Sequence, residues 1–314
     1  NEPKVDIKTK AELGDFLFND KTLSNPGGQS CASCHFEDHA FIDPRRDSPT
    51  SQGAIKTRFG NRQAPTLMYV KYIPKLHWNV DEDGEEGYKG GLFWDGRAST
   101  MLDQAKGPFL NPMEMNNTTP AQVVAKVQKS AAAPAMKALY GKDIFNNVDK
   151  AYNAIADAIV KYESTAEFTP FNSKFDRYLD GKEKLTLSEK RGLDLFNGKA
   201  KCFNCHSAAK GPKGEHPVFS DFCYYNTGVP KNWLNRFLLQ PKQFNPDGLF
   251  YKDTGLASTT HRNEDLGKFR VQTLRNIAVT APYFHNGRFN TLYQVVQFYN
   301  KRDTGLFGPS EFPA

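Results

Sequence analysis

The sequence predicts a mostly α-helical protein made of two halves that resemble each other. A Cys-x-x-Cys-His sequence occurs twice, at residues 31–35 and 202–206, and a segment with helical apolar spacing precedes each copy. Similar segments also follow the two copies at a constant offset. Strand-like alternation is scarce and turn residues are frequent, so we expect short helices joined by long loops.

The composition excludes several classes of protein. The 314 residues carry 41 basic and 35 acidic side chains, which gives a formal charge of +6 that is spread rather than clustered. We therefore expect no nucleic-acid partner and no polybasic membrane contact. No apolar run approaches the length of a membrane-spanning helix, so no membrane span is expected. An apolar fraction of 39%, with 24 Phe and 13 Tyr, supports a packed core.

The repeated Cys-x-x-Cys-His sequence is typical of covalent haem attachment. Two thiols add to the vinyl groups of one haem, and the adjacent histidine binds the iron. The competing interpretations are a zinc site, a redox dithiol or a disulfide. Zinc would not require a histidine directly after each second cysteine, and a redox dithiol would not be expected twice. We therefore predict two haem c groups, held by Cys31, Cys34 and His35 and by Cys202, Cys205 and His206.

Haem c implies maturation outside the cytoplasm, so we expect a periplasmic bacterial protein. The chain does not begin with a charged and then apolar leader, which predicts that a signal peptide has been removed. The fifth cysteine, Cys223, is expected to be a buried structural thiol.

Helix starts are marked around each copy of the motif. Residues 12–19 and 190–197 carry apolar side chains at helical spacing. Thr9 and Glu12 form a capping box at the first helix, and Ser188 is the expected cap of the second.

The segments after the two motifs repeat with an offset of 191 residues. Phe-Trp-Asp-Gly-Arg at residues 93–97 corresponds to Phe-His-Asn-Gly-Arg at residues 284–288. Two repeats with one haem motif each predict two cytochrome c-like haem domains related by internal duplication. We place them at residues 1–165 and 166–314, the first with an open haem and the second with a six-coordinate haem.

The sixth iron ligand decides whether a haem carries electrons or binds peroxide. Methionine is the common ligand for electron transfer, but all five methionines lie between positions 68 and 136. The repeat pairs Tyr299 with Pro108, which has no ligating atom. The residues alone leave two interpretations open: Tyr299 binds the second iron, or it is an ordinary aromatic residue on the apolar stripe of its helix.

Longer motifs add a family resemblance over nearly the whole chain. They lie at residues 30–35, 64–66, 90–97, 110–115 and 274–283. With them the chain resembles the bacterial diheme cytochrome c peroxidase family, and within it the MauG-like branch. In that branch a tyrosine in a Phe-Tyr-Asn sequence replaces the methionine ligand of the C-terminal haem. Residues 298–300 have this sequence, so the resemblance implies Tyr299 as the ligand.

The resemblance also implies roles at the first haem. Ordinary peroxidases often carry a removable histidine ligand in the loop at residues 51–63, and this loop has none. The first haem is therefore expected to be open to peroxide. Glu114 and Gln104 are expected on its distal side, where a carboxylate can move a proton between the peroxide oxygens. Trp94 is expected to relay electrons between the haems. From the residues alone, the three are a turn carboxylate, a surface amide and a core aromatic.

A calcium ion between the domains is implied in the same way. Its expected ligands are Gln63 and the backbone carbonyls of Thr280 and Pro282, since oxygen ligands suit Ca²⁺. The family usually has asparagine where Gln63 stands, and we assign a metal to none of the five histidines outside the motifs.

The expected function is that of a periplasmic diheme oxidoreductase. Hydrogen peroxide supplies two oxidising equivalents, which oxidise a partner such as Trp or Tyr side chains of a protein. The alternatives are a cytochrome c peroxidase fed by a small cytochrome or copper protein, and an electron carrier without catalysis. MauG has a tryptophan just before its second haem motif, which takes electrons from a methylamine dehydrogenase precursor. Ala200 and Lys201 stand there in this chain, so that substrate is not implied, and Trp78 and Trp233 are other candidate exit points.

Overall fold

A computed structural model describes residues 6–45, 47–80 and 84–313. The outermost residues of the two predicted domains, 1–5 and 314, lie outside these ranges. The α-helices are α1 Lys10–Asn19, α2 Met101–Leu110, α3 Pro120–Lys129, α4 Ala133–Tyr140, α5 Val148–Glu163, α6 Lys174–Leu179, α7 Leu187–Asn197, α8 Ala257–Thr260 and α9 Leu292–Lys301. The strands are β1 His77–Val80, β2 Glu86–Lys89, β3 Tyr224–Tyr225 and β4 Phe269–Arg270. The predicted mostly helical class is confirmed.

Each half of the described chain has one small sheet, and a short bridge links the two sheets. β1 pairs with β2 and β3 pairs with β4, in both cases antiparallel. An isolated bridge between Lys89 and Cys223 joins the end of β2 to the residue before β3. Among the described residues, no helix is long and apolar enough to cross a bilayer.

The helix caps agree with the sequence at some positions and not at others. Thr9 and Glu12 form the predicted capping box of α1. At α7 the predicted cap Ser188 is wrong, because Thr186 caps the helix instead. The hydroxyl of Thr186 accepts from the Glu189 amide at 3.2 Å, and the Glu189 carboxylate accepts from the Thr186 amide at 2.7 Å. Ser188 has Arg191 three residues later, which cannot complete such a box.

The main hydrophobic core is built where α1 crosses α5. Phe18 on α1 and Ile155 and Ile159 on α5 are at most 1% exposed. The crossing is close because Gly14 has no side chain: a Cβ there would lie 1.9 Å from the carbonyl oxygen of Ala158. This contact brings the α1 helix, and the first motif that follows it, against the long α5 helix.

The helices near the second motif are packed more sparsely. Among the described residues, α7 has no buried side chain, and Phe298 is the buried residue of α9. Gly192 occupies the place in α7 that Gly14 has in α1, but nothing lies within 4 Å of its Cβ position. The two halves therefore use similar helices in different packing environments.

Replacing Gly14 by alanine should lower the free energy of unfolding by about 1–3 kcal/mol, because the added methyl group overpacks the crossing of α1 and α5. Gly192→Ala is the matched control, and we expect it to be neutral or to stabilise by up to about 1 kcal/mol. Urea unfolding followed by circular dichroism measures both changes, and equal effects of the two substitutions would contradict the packing described here.

Candidate active site

A backbone carbonyl orients the histidine of each motif. Nδ1 of His35 lies 2.8 Å from the carbonyl oxygen of Phe41, and Nδ1 of His206 lies 2.6 Å from that of Phe219. Because a carbonyl oxygen only accepts, Nδ1 carries the proton and Nε2 keeps its lone pair. Burial lowers the pKa of both histidines, which favours the neutral ring. Both rings are therefore prepared to bind iron through Nε2.

The paired cysteines are neutral thiols outside any disulfide. Burial raises the pKa of Cys34 and of Cys205 to about 11, so neither is a thiolate near neutral pH. In the part of the chain that the structure describes, no three His, Cys, Asp or Glu side chains are grouped to hold a metal ion. The two pairs therefore do not come together as a zinc site, and their covalent attachment to haem stays a prediction.

A large cavity lies in front of the first motif. The empty space in front of the motif, open solvent included, is about 1280 Å³. Its walls bring together every residue predicted for the first haem: Cys31, Cys34, His35, Trp94, Gln104 and Glu114, with Gln63 beside them. The sequence predictions for the first haem therefore converge on one place, whereas the roles of these residues stay predictions.

Arg270 contributes a buried cation to this cavity from the second half of the chain. The side chain is 3% exposed, and its Nε–H has no hydrogen-bond partner. Burial lowers the pKa of Arg270 to about 10, because few groups compensate its charge. A buried guanidinium with a free donor favours an anionic group, and haem carries two carboxylates at its edge. The charge in this cavity therefore suits the carboxylates of a haem.

Glu114 lies in the cavity wall among polar neighbours. Burial raises its pKa, while the positive charge of Arg97 and a hydrogen bond from Asn111 act in the opposite direction. Arg97 itself pairs with Asp95 at 3.0 Å and lies 3.6 Å above the ring of Phe93. The sequence analysis used this Phe-Trp-Asp-Gly-Arg segment as a repeat and missed Arg97 as a site residue.

Glu163 is a second residue that the sequence analysis missed. It ends α5, lines the same cavity and is 4% exposed, and its Oε2 has no hydrogen-bond partner. Burial raises its pKa to about 8, so this carboxyl group is neutral at pH 7. In the sequence it only closes an apolar helical stripe, and nothing there indicates a cavity residue.

Trp94 lies where the two halves meet. Its indole Nε1 donates to the carbonyl oxygen of Gln63 at 2.8 Å. Its ring stands edge-on to the ring of His285 with the centroids 6.5 Å apart, and its carbonyl oxygen accepts from the Arg270 amide at 3.0 Å. Trp94 thus lines the first cavity and contacts the second half of the chain, while its role as an electron relay stays a prediction.

Tyr299 lies beside the cysteines of the second motif. Its ring packs against Phe284 and Phe298 with centroid distances of 5.8 and 5.6 Å. Tyr299 is 54% exposed, yet partial burial of its phenol and then the proximity of Cys205 and Cys202 raise its pKa. The structure therefore brings Tyr299 to the second motif, while its bond to iron stays a prediction.

The expected calcium ligands belong to neighbouring segments. Gln63 and Thr280 are 6% and 8% exposed. The Gln63 amide donates to the carbonyl oxygen of His285 at 2.7 Å, three residues after Pro282. This bond brings Gln63 close to the segment that holds Thr280 and Pro282, while calcium binding there stays a prediction.

The leftover cysteine and tryptophans lie on the surface. Cys223 is half-buried rather than buried, so the expectation of a buried thiol is wrong; its backbone pairs with Lys89 on one side and Val271 on the other, and its side chain is not fully covered. Trp78 is 43% exposed and Trp233 is 68% exposed, and neither lines the cavity.

A buried ion-pair network holds the site together across the two halves. Arg62 donates to both carboxylate oxygens of Asp253 at 2.6 and 2.7 Å and pairs with Asp95 at 2.7 Å. Burial alone would raise the pKa of Asp253, but the attraction of Arg62 outweighs it and lowers the pKa to about 2. Gln63 directly follows Arg62, and Trp94 directly precedes Asp95. The ion pairs therefore hold Gln63 and Trp94 in place in the cavity wall.

A mostly helical scaffold with two oriented haem-ligand motifs defines a class of protein, the diheme oxidoreductases. A profile of the family described as di-haem cytochrome c peroxidase matches residues 8–184. The chain is 38% identical to the methylamine utilization protein MauG of Paracoccus denitrificans (strain Pd 1222), over 93% of this chain and 74% of that protein. The chain belongs to the di-haem cytochrome c peroxidase family.

Two further relatives agree with this assignment. The chain is 32% identical to the cytochrome c peroxidase Ccp of Escherichia coli (strain K12), over 96% of this chain but 55% of that protein, so it spans about half of that relative. The crystal structure of the diheme peroxidase BthA from Burkholderia thailandensis E264 matches with a TM-score of 0.84 and 32% identity, over 97% of this chain and 75% of that one. The chain is a haem-dependent peroxidase or oxidase, and the family implies two haems.

Replacing Arg62 by leucine should lower the free energy of unfolding by about 3–5 kcal/mol, because it leaves two buried carboxylates without a counter-ion. Arg177→Leu breaks an exposed pair with Glu183 and should cost about 0–1 kcal/mol. Urea unfolding at pH 7 measures both.

The same pair sets a pH dependence. The pKa of Asp253 is lower in the folded protein than in the unfolded chain. The Asp253 carboxylate therefore contributes fully to the free energy of unfolding above its ordinary pKa of about 3.9, and this contribution is lost as the pH falls toward about 2. If Arg62→Leu and Arg177→Leu lowered the free energy of unfolding by similar amounts at pH 7, the assigned role of Arg62 would be contradicted.

Proposed function

We propose that this protein is a periplasmic diheme oxidoreductase that uses hydrogen peroxide at the first site and oxidises a partner from the second site. Trp or Tyr side chains of a protein are the proposed targets. The inequality of the two sites carries this proposal. The first motif faces an open cavity that contains acid–base side chains, whereas the second motif faces the phenol of Tyr299.

Two haem c groups are part of the proposal. The neutral thiols of each motif form thioethers, and Nε2 of each motif histidine binds iron. Residues 1–165 and 166–314 form the two haem domains, and we infer an internal duplication from their matching parts. Thr100 and Thr291 cap the equivalent helices α2 and α9, which supports this inference.

At the first site, His35, Cys31 and Cys34 would hold a haem, which would supply the iron that reacts with peroxide. Glu114, whose pKa is raised, takes a proton from one peroxide oxygen and returns it to the leaving oxygen. Gln104 lines the same wall and orients the peroxide by hydrogen bonding. Arg97 stabilises negative charge that develops as the O–O bond breaks.

Between the sites, Trp94 passes electrons toward the first cavity, supported by its contacts with Gln63 and His285. At the second site, the Tyr299 side chain would supply an oxygen ligand to the second haem, and such a ligand would favour a high oxidation state of the iron. Ca²⁺ bound by Gln63, Thr280 and Pro282 holds the two domains in register around this relay.

The second candidate is a cytochrome c peroxidase that reduces peroxide with electrons from a small cytochrome or copper protein. Its support is the 32% identity to Ccp and the occurrence of Ala200 and Lys201 just before the second motif. Rapid oxidation of a reduced small cytochrome c during peroxide turnover favours this candidate. Slow turnover with cytochrome c and oxidation of exposed Trp or Tyr side chains of an added protein favours the first.

The Glu114→Gln substitution should slow the absorbance change caused by one equivalent of peroxide on the order of 100-fold, because the proton shuttle is lost while the shape is kept. Stopped-flow absorbance of the haem-loaded protein measures this rate. Glu264→Gln, at an exposed carboxylate paired with Arg262, is the control and should react at the wild-type rate. Equal rates in all three proteins would remove Glu114 from the mechanism.

Replacing Tyr299 by phenylalanine should change the low-spin ferric signal in electron paramagnetic resonance (EPR) spectra, because the second iron loses its phenol ligand. The high-spin signal of the first site should stay. Tyr293→Phe, on the same helix and 71% exposed, is the matched control and should leave both signals unchanged. A low-spin signal that survives in Tyr299→Phe would rule out this ligand.

A further inference from the structure

A tyrosine–carboxylate pair lies against the second motif. The Tyr225 hydroxyl donates to Oδ2 of Asp221 at 2.9 Å and lies within hydrogen-bonding reach of the Cys205 side chain. The Asp221 amide donates to the carbonyl oxygen of Cys205 at 2.9 Å. The pair is therefore fixed to the cysteine that attaches the second haem.

This pair also reaches the protein surface. Tyr225 is 41% exposed at its position in β3, opposite Phe269 of β4. Its ring thus joins the second haem site to solvent through one side chain. Burial raises the pKa of Asp221, which favours its role as a proton acceptor. Hydrogen bonds from the Cys223 amide and the Tyr225 hydroxyl and the charge of Lys89 act in the opposite direction.

The first motif provides an internal comparison. Asp43 follows Phe41 by two residues, as Asp221 follows Phe219, and both phenylalanines supply the carbonyl that orients a motif histidine. Asp43, however, is bound by the Arg45 guanidinium through Nε at 2.8 Å. An arginine neutralises the carboxylate at the first site, whereas the carboxylate at the second site accepts a hydrogen bond from a phenol, which can be oxidised.

We propose that Tyr225 is the exit point through which oxidising equivalents leave the second site toward a macromolecular partner, with Asp221 as its proton acceptor. One electron passes from the phenol to the oxidised second site, and the phenolic proton moves to the Asp221 carboxylate. The resulting neutral tyrosyl radical takes one electron from the partner, and the proton returns to the phenol oxygen. Two such cycles, with two protons from solvent, reduce one hydrogen peroxide to two waters.

This inference rests on the proposed function, because peroxide is the oxidant that it requires. It also explains how a chain with Ala200 and Lys201 before the second motif delivers oxidising equivalents to a partner. Trp78 and Trp233 are exposed as well, but neither is hydrogen-bonded to a carboxylate in the described structure.

The test uses the haem-loaded protein, one equivalent of peroxide and the spin trap 2-methyl-2-nitrosopropane. The haem absorbance is recorded in the same sample, and peptide mass mapping then locates the trapped adduct. We expect the adduct on Tyr225 in the wild type and its loss in Tyr225→Phe. In Asp221→Asn the adduct should form more slowly, on the order of 100-fold, because the proton acceptor is gone. The control Tyr293→Phe should match the wild type.

The two parts of the experiment separate the two proposals. A wild-type protein whose absorbance does not respond to peroxide overturns the proposed function and this inference with it. A normal absorbance response with the adduct on another residue, or with equal adduct yield in Tyr225→Phe, overturns the role of Tyr225 alone. The resting spectrum and haem content of each variant show whether the second site is still intact.

Discussion

The bond from a histidine Nδ1–H to a backbone carbonyl is the interaction on which both sites depend. It fixes the tautomer and the plane of each ring. It also requires a later segment of the chain to fold back so that its backbone carbonyl points at the histidine ring. In both halves a phenylalanine makes this return with a left-handed backbone, at φ 56° for Phe41 and 54° for Phe219. The carboxylates of Asp43 and Asp221 then follow two residues later, beside Cys34 and Cys205. The same short backbone device, a phenylalanine carbonyl followed two residues later by an aspartate, thus orients the motif histidine and places a carboxylate beside the motif cysteine.

The two copies of this device serve different chemistry because their surroundings differ. Around the first copy, the α1–α5 core and the Arg62 network form a rigid cavity wall with Glu114 and Arg97 in it. Around the second copy, Tyr299 and Tyr225 bring two phenols to the cysteines, one from α9 and one from the surface. Trp94 contacts Gln63 and His285 where the two halves meet. In the proposed function, peroxide chemistry and partner oxidation are separated in space, and Trp94 is the proposed relay between them.

Much of this arrangement could be predicted from the sequence, because the motifs carry their chemistry in their spacing. Cys-x-x-Cys-His predicts a haem ligand, and the five methionines confined to the first half direct attention to Tyr299. Arg97, Glu163 and Tyr225 could not be found in this way. Their significance comes from neighbours that are distant in the sequence or from burial, and a single sequence records neither. The cap at Thr186 is different, because the sequence does indicate it: Glu189 stands three residues after Thr186 and completes a capping box.

The central claim is that the two sites are unequal, one open to peroxide and one closed by Tyr299. Low-temperature EPR spectra of the diferric protein, recorded before and after one equivalent of hydrogen peroxide, test it most directly. The account predicts one high-spin and one low-spin ferric signal at the start, and the loss of both after peroxide without prior reduction. Two low-spin signals that peroxide leaves unchanged would contradict it and would make the protein an electron carrier.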